Sequence, residues 1–254
     1  VNKLVFVGLF VAATVYAVLA NAGGSTPKRC TFTVPDMDLS GDTWYGPENW
    51  DWCRSDWQSS HRKAYGIDKD QWEGHGWDTP CDMKRPLGRL YAAFVALEES
   101  SANPTKDYKG NILQWGAWFA WSTIDDLDAK CGDDPIASCT CTKFLGIGNR
   151  FLRLFVPPYF YDQGVAERAS TLIHEARHWD GPGHDEGSRD SSWSYNGAWR
   201  WEVAWLAWYA AEAIDAPLGQ RCKAQDLANG YLKTSFKKKP GFTVNVLNCS
   251  GVSR

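Results

Sequence analysis

The chain has little excess of either charge. Its 27 Lys and Arg stand against 30 Asp and Glu, a net charge of −3 over 254 residues. No basic field exists to attract a polyanion, so no nucleic-acid partner is expected. The Lys237-Lys238-Lys239 run reads as a solvated face. Methionine is scarce, with Met37 and Met83 the only two, and histidine is limited to five. Internal repeats and low-complexity linkers are absent, which excludes solenoids and arrays. What is abundant is tryptophan: fifteen residues, all but Trp179 gathered in 44–77, 115–121 and 193–208. Most of these read as core, given the apolar area each buries.

The first residues carry one cation, Lys3, and then an uncharged apolar run from Leu4 to Ala20, followed by Ala20-Asn21-Ala22. These are the parts of a secretory signal peptide, residues 1–22, with the mature chain starting near Gly23. The alternative is a retained anchor, although the run is at the short limit for a membrane span. The initial valine reads as a GTG start codon and points to a bacterial source. The expected location is secreted or periplasmic, with no membrane association after cleavage. All eight cysteines (Cys30, Cys53, Cys81, Cys131, Cys139, Cys141, Cys222, Cys249) follow the cleavage site. An even count in an exported chain implies up to four disulfides. About a hundred pairings are possible, and the sequence does not choose among them. A cysteine zinc site around Cys131, Cys139 and Cys141 competes, but its spacing is not that of a zinc ribbon.

Two regions follow. Residues 23–85 are rich in Gly, Pro, Asp and Trp and poor in helical periodicity, so a loop-rich, disulfide-held N-terminal region is expected. Asp36 to Gly41 resembles half of a calcium loop, but Pro47 stands where the twelfth-position Glu belongs, so a turn is expected. His61 and His75 read as surface or loop residues. Residues 86–254 form the main domain. Pro86 to Glu99 is a helix with an apolar face of Leu90, Ala93, Phe94 and Leu97. Helix is also expected over much of 111–130, ending in the acidic run Asp125-Asp126-Leu127-Asp128. Phe151 to Val156 alternates like a strand and is stopped by Pro157-Pro158. Gly164 to Ile173 is helical, with Ala169, Leu172, Ile173 and Ala176 in one stripe. Asp185 to Tyr195 reads as a loop, Gly197 to Ile214 as a buried helix, 222–235 as a further helix and Phe242 to Leu247 as a short strand.

The chemistry lies in His174-Glu175-Ala176-Arg177-His178-Trp179-Asp180-Gly181-Pro182-Gly183-His184, which reads HExxHxxGxxH. At i and i+4, His174 and His178 share a helix face and offer two imidazoles to one tetrahedral zinc. Glu175 stands beside them as a candidate general base. Gly181 permits the sharp turn that ends the helix, after which His184 can swing back. Three of the five histidines fall within this stretch, a clustering that a plain surface helix has no reason to show. Glu202 sits mid-helix among apolar residues and needs a partner. It can orient a liganding histidine, ligate the ion, or pair with Arg200 or Arg177, with orientation or pairing favoured.

This motif resembles the metzincin signature of the zincin metallopeptidases. The resemblance implies His174, His178 and His184 as zinc ligands and Glu175 as catalytic base. Metzincins carry a methionine turn after the motif, and both methionines here precede it. The strand, the Arg168–Thr171 run and the Leu172-Ile173-His174-Glu175 entry are also similar to the deuterolysin group. There the third ligand is a downstream aspartate, which makes Asp185 or Asp180 an alternative to His184. A third pattern places a glutamate on a later helix, as Glu202 would be. The implied fold is α+β and zincin-like, with the active-site helix packed on a small sheet, Trp-rich helices and many disulfides. The expected function is that of an exported zinc-dependent metallohydrolase, an endopeptidase acting on protein or peptide substrates. Tyr195 and Arg177 are candidates to steady an oxyanion. The alternatives are a non-enzymatic exported binding module with a structural metal, and a membrane-anchored surface or filament subunit.

Overall fold

In a computed structural model, the described residues are 42–102, 112–129, 152–156, 160–161 and 163–253. The proposed signal segment, Asp36–Gly41, Cys30, Cys131, Cys139 and Cys141 lie outside them.

The N-terminal region is more ordered than its composition suggests. After 3-10 turns at Thr43–Tyr45 and Asp51–Cys53 come helix α1 (Ser55–Ala64) and the short α2 (Lys69–Trp72). The α1 sequence is polar overall, but Trp57, His61 and Ala64 share one face, and Trp57 and Ala64 pack against the core. Trp57 stacks on His61 with ring centroids 3.5 Å apart, and His61 Nε2 lies 2.7 Å from Glu98. His61 is therefore a helical, packed residue, against expectation, while His75 lies in a turn as expected but is buried. The Cys53–Cys81 disulfide closes this region. Trp72 donates its indole N–H to Leu127 O at 2.7 Å and so ties the region to the next sheet.

Helix α3 (Pro86–Ala102) starts at its proline as expected and extends three residues past Glu99. Helix α4 (Ile112–Thr123) is shorter than expected, because the acidic run is strand β1 (Ile124–Ala129). β1 pairs in parallel with β2 (Leu152–Val156), with Leu127 opposite Leu154. Asp is a poor strand former, so this strand comes from its partner and from burial of Ile124, Leu127 and Ala129.

Helix α5 (Val165–Asp180) carries the histidine motif. It has no capping side chain of its own at Gly164. Instead Asp42, distant in sequence, accepts from the first helical amide, Val165 N, at 3.1 Å. The second oxygen of Asp42 takes Arg168 Nη2 at 2.9 Å, and both side chains are buried. A carboxylate at the helix start meets the positive end of the macrodipole and an orphan N–H together. Among the described residues, helix α5 packs chiefly on α3, α4 and α6 (Ala198–Glu212) and also touches β2, so the sheet it is expected to pack on is the smaller part of its surroundings. The strong apolar stripe had to meet an apolar surface, and the neighbouring helices supply more of it than the two-stranded sheet does. Helix α6 is buried as expected, with Trp205 and Trp208 fully enclosed.

Helix α7 (Leu218–Thr234) starts four residues before the expected 222. Strand β3 (Asp190–Ser192) and strand β4 (Phe236–Lys238) pair in parallel. So the polar 185–195 stretch is not wholly loop, and the lysine run is partly strand while its side chains stay exposed. Phe242 to Leu247 is not a strand. Gln225 on α7 takes Val246 N and Leu247 N at 2.8 and 2.9 Å and donates to Leu247 O. Asn229, one turn on, does the same for both main-chain groups of Val244. Two amide side chains thus replace a neighbouring strand, and Cys222–Cys249 fastens the row one turn earlier. Among the described residues the fold is mixed helix and small sheet with two disulfides, and no helix is long and apolar enough to cross a membrane.

Candidate metal centre

His174 and His178 face one point from successive turns of α5. Their Nε2 atoms are 3.1 Å apart. Two bare imidazole nitrogens repel at that distance, so a shared proton or a cation must sit between them. Bonds of about 2.05 Å to a tetrahedral zinc would hold two such nitrogens roughly 3.3 Å apart. His184 closes the group, with ring centroids 5.2 Å from His174 and 4.5 Å from His178. One nitrogen from each ring lies within 4.8 Å of the other two. The triad can hold a metal ion.

Burial lowers the His174 and His178 pKa values to about 3, with neighbouring imidazoles adding to the effect. Both rings are neutral at pH 7 and keep a lone pair for a ligand bond. Behind them stand two carboxylates. Glu202 Oε2 lies 2.8 Å from His174 Nδ1. The distance is that of a hydrogen bond, but the alignment falls short of one. Ser170 Oγ donates to the other Glu202 oxygen at 3.0 Å. Asp190 Oδ1 lies 2.7 Å from His184 Nδ1. Glu202 is 2 % exposed and Asp190 fully buried, and among the described residues no Lys or Arg pairs with either. Glu202 and Glu175 are both pushed up to about 8, foremost by burial. Burial therefore favours the protonated forms of Glu202 and Glu175 at neutral pH, and a divalent ion held by the triad would favour their ionised forms.

The other candidates for third ligand are placed elsewhere. Asp185 Oδ1 accepts Ser191 N at 2.7 Å and is not part of the triad. Glu202 stands behind His174, 2.8 Å from its Nδ1, and pairs with neither Arg200 nor Arg177 in any ion pair among the described residues. The Asp180 side chain lies outside the described residues. Gly181 ends α5, but with φ −125° and ψ −174° it is extended, not left-handed. What the position requires is the missing Cβ, which would come 2.6 Å from Arg177 Nε and 2.9 Å from Arg177 O. Neither oxyanion candidate is free. The Arg177 guanidinium donates twice to Asn196 O, at 3.2 and 2.9 Å, and lies over the Trp201 ring at 4.1 Å. Tyr195 donates its hydroxyl to Gly183 O at 2.6 Å and so braces the loop that carries His184.

Three residues of the site went unnoticed in the sequence: Asp190, Ser170 and Trp199, whose ring lies 4.4 Å from His174 and 5.7 Å from His184. Ser170 is one turn before His174 and was findable from helical spacing. Nothing in the polar stretch around Asp190 marks it. No family model, curated protein or solved structure matches this chain.

Proposed function

We propose that the chain is a zinc-dependent metallohydrolase that cleaves peptide bonds, with His174, His178 and His184 as ligands and Glu175 as general base. The observation that supports it is the convergence of three imidazole nitrogens behind which two buried carboxylates stand without a cation. The donors suit zinc, which favours imidazole nitrogen in tetrahedral sites. Among the described residues the group holds three donors and not four, the number found in catalytic zinc sites that keep a position for water. A zinc ion so held supplies Lewis acidity toward a carbonyl and a water pKa lowered to roughly 7. The protein's own work is then assigned by position. Glu175 follows His174 on α5 and makes no ion pair among the described residues, so its carboxylate is available to take a proton from water and return it to the leaving amine. Glu202 and Ser170 restrain His174. Arg177, pinned to Asn196 O, holds the end of α5 against the segment that leads into α6. The two disulfides fit an oxidising location outside the cytoplasm.

Glu175→Gln tests the reading. The amide is nearly isosteric, so zinc content and thermal melting should hold while cleavage of an unstructured protein falls by about 100- to 10,000-fold. Equal cleavage by variant and wild type would remove Glu175 from the chemistry. A second reading, a binding module with a structural metal, draws on Trp118 and Trp121, which are 57 % and 55 % exposed on α4 and offer apolar surface to a partner. A fourth protein ligand on the metal, with no cleavage of any substrate tried, would favour it.

A further inference from the structure

His184 sits in a segment with neither helix nor strand geometry, between exposed Pro182, Gly183 and Asp185. The segment alone does not fix the ring. What fixes it is Asp190. This residue opens β3, is fully buried, and has its main chain pinned by Asp190 N donating to Ser235 O at 3.0 Å. Its carboxylate fits into a gap left by Gly197, where an added Cβ would come 2.5 to 2.9 Å from the carboxylate atoms. So Asp190 cannot move far, and its Oδ1 stays 2.7 Å from His184 Nδ1.

We propose that Asp190 is a positioning residue for the metal centre: it keeps the His184 proton on Nδ1 and so turns a bare Nε2 toward His174 and His178. The reason is geometric: Asp190 Oδ1 stands 2.7 Å from His184 Nδ1, where it serves as acceptor for an Nδ1–H. A neutral imidazole with its proton on Nδ1 has its lone pair on Nε2. Carboxylates in this role raise ligand basicity and fix ring orientation. The arrangement also makes the third ligand depend on the chain's far end, since β3 is held by β4 and by Ser235 at the end of α7. This inference rests on the metal-site reading above.

Two experiments test it. Long-range nitrogen-15 NMR of the metal-free wild type should show His184 protonated at Nδ1, and an Nε2–H form would overturn the proposal without any variant. Zinc affinity is then measured by chelator competition for wild type, Asp190→Ala and Asp190→Asn, with cobalt substitution to read coordination from the visible spectrum. Asp190→Ala should weaken zinc by about 10- to 100-fold and alter the cobalt bands. Asp190→Asn, whose amide oxygen can still accept the Nδ1 proton, should recover part of the loss, which a purely structural role would not require. Unchanged affinity and spectrum in Asp190→Ala would overturn the positioning role while leaving the metal site standing. Failure of the wild type to bind zinc would overturn both.

Discussion

Two of the three histidines and the third are held in opposite ways. His174 and His178 come from successive turns of one helix, and their spacing brings their nitrogens to 3.1 Å. His184 comes from an irregular stretch and is placed by residues brought together only by the fold: Asp190, Tyr195 and Trp199. The helical pair is a local property of the chain. The third position is a tertiary one, guaranteed only when β3, β4 and the end of α7 are assembled. On the proposed reading, such a division would let a rigid base accept an ion while the remaining ligand depends on the completed fold.

The largest expected effect breaks the pair itself. His178→Ala should abolish stoichiometric zinc, whereas His184→Ala should leave weak binding by the two helical nitrogens, and elemental analysis after dialysis distinguishes them. Equal retention in both would mean the helix is not the base of the site.

Next is the anchor of the helix. Asp42→Ala leaves buried Arg168 without its carboxylate and Val165 N without its acceptor. Breaking a buried pair costs about 3–5 kcal/mol, and at roughly 2–4 °C per kcal/mol in a chain of this size the melting point should fall by roughly 10 °C. A drop of only a degree or two would show that α5 needs no such support.

A titrating group away from the metal sharpens the comparison by separating fold from site. Glu99 is buried against Tyr45, which also shares a hydroxyl hydrogen bond with Tyr209. Burial foremost, with Asp215 adding, raises its carboxyl from 4.5 to about 7, against the opposing Tyr45 hydrogen bond and Arg221. The folded state therefore holds a proton that the unfolded state has lost across pH 4.5 to about 7. The favourable contribution is present at the acid end and is lost as pH rises through that window, up to about 3 kcal/mol. Glu99→Gln should remove this slope in urea unfolding measured at pH 5 and pH 8. A wild-type slope that persists in the variant would assign the pH dependence to other groups.

The smallest effect concerns the junction between the two kinds of ligand. Gly181→Ala needs no unusual backbone angle, so its cost is the collision with Arg177. About 1–3 kcal/mol is expected, as for other overpacked sites, with zinc retained but His184 less well placed. Urea unfolding and chelator competition measure the two consequences separately.

What could be read from the sequence follows the same division. Helical spacing gave α5, α6 and the start of α3, because a buried stripe leaves a local 3.6-residue trace. It placed His174 and His178 together, and it identified Glu202 as a carboxylate in need of a partner. It gave β2, whose alternation is local too. It did not give β1, where Asp125, Asp126 and Asp128 argue against a strand that a parallel partner imposes. It did not give β4 in the lysine run, nor the amide row of Gln225 and Asn229 that takes the place of a strand partner. Gly181 reads in the sequence as the turn that ends the helix, but a glycine's presence does not show whether its angle or its missing Cβ is needed. Asp190 was invisible, since its role is set by His184 and Gly197 closing around it, and no spacing encodes that.

The central claim is that three histidines hold one zinc ion. X-ray absorption at the zinc edge on purified protein, with metal content determined on the same sample, tests it most directly. The expected result is one zinc per chain in a four-coordinate nitrogen and oxygen shell with the multiple-scattering signature of three imidazoles, reduced to two in His184→Ala. A protein that purifies and reconstitutes without zinc would contradict the account, as would a shell with sulfur ligands or one unchanged by loss of His184.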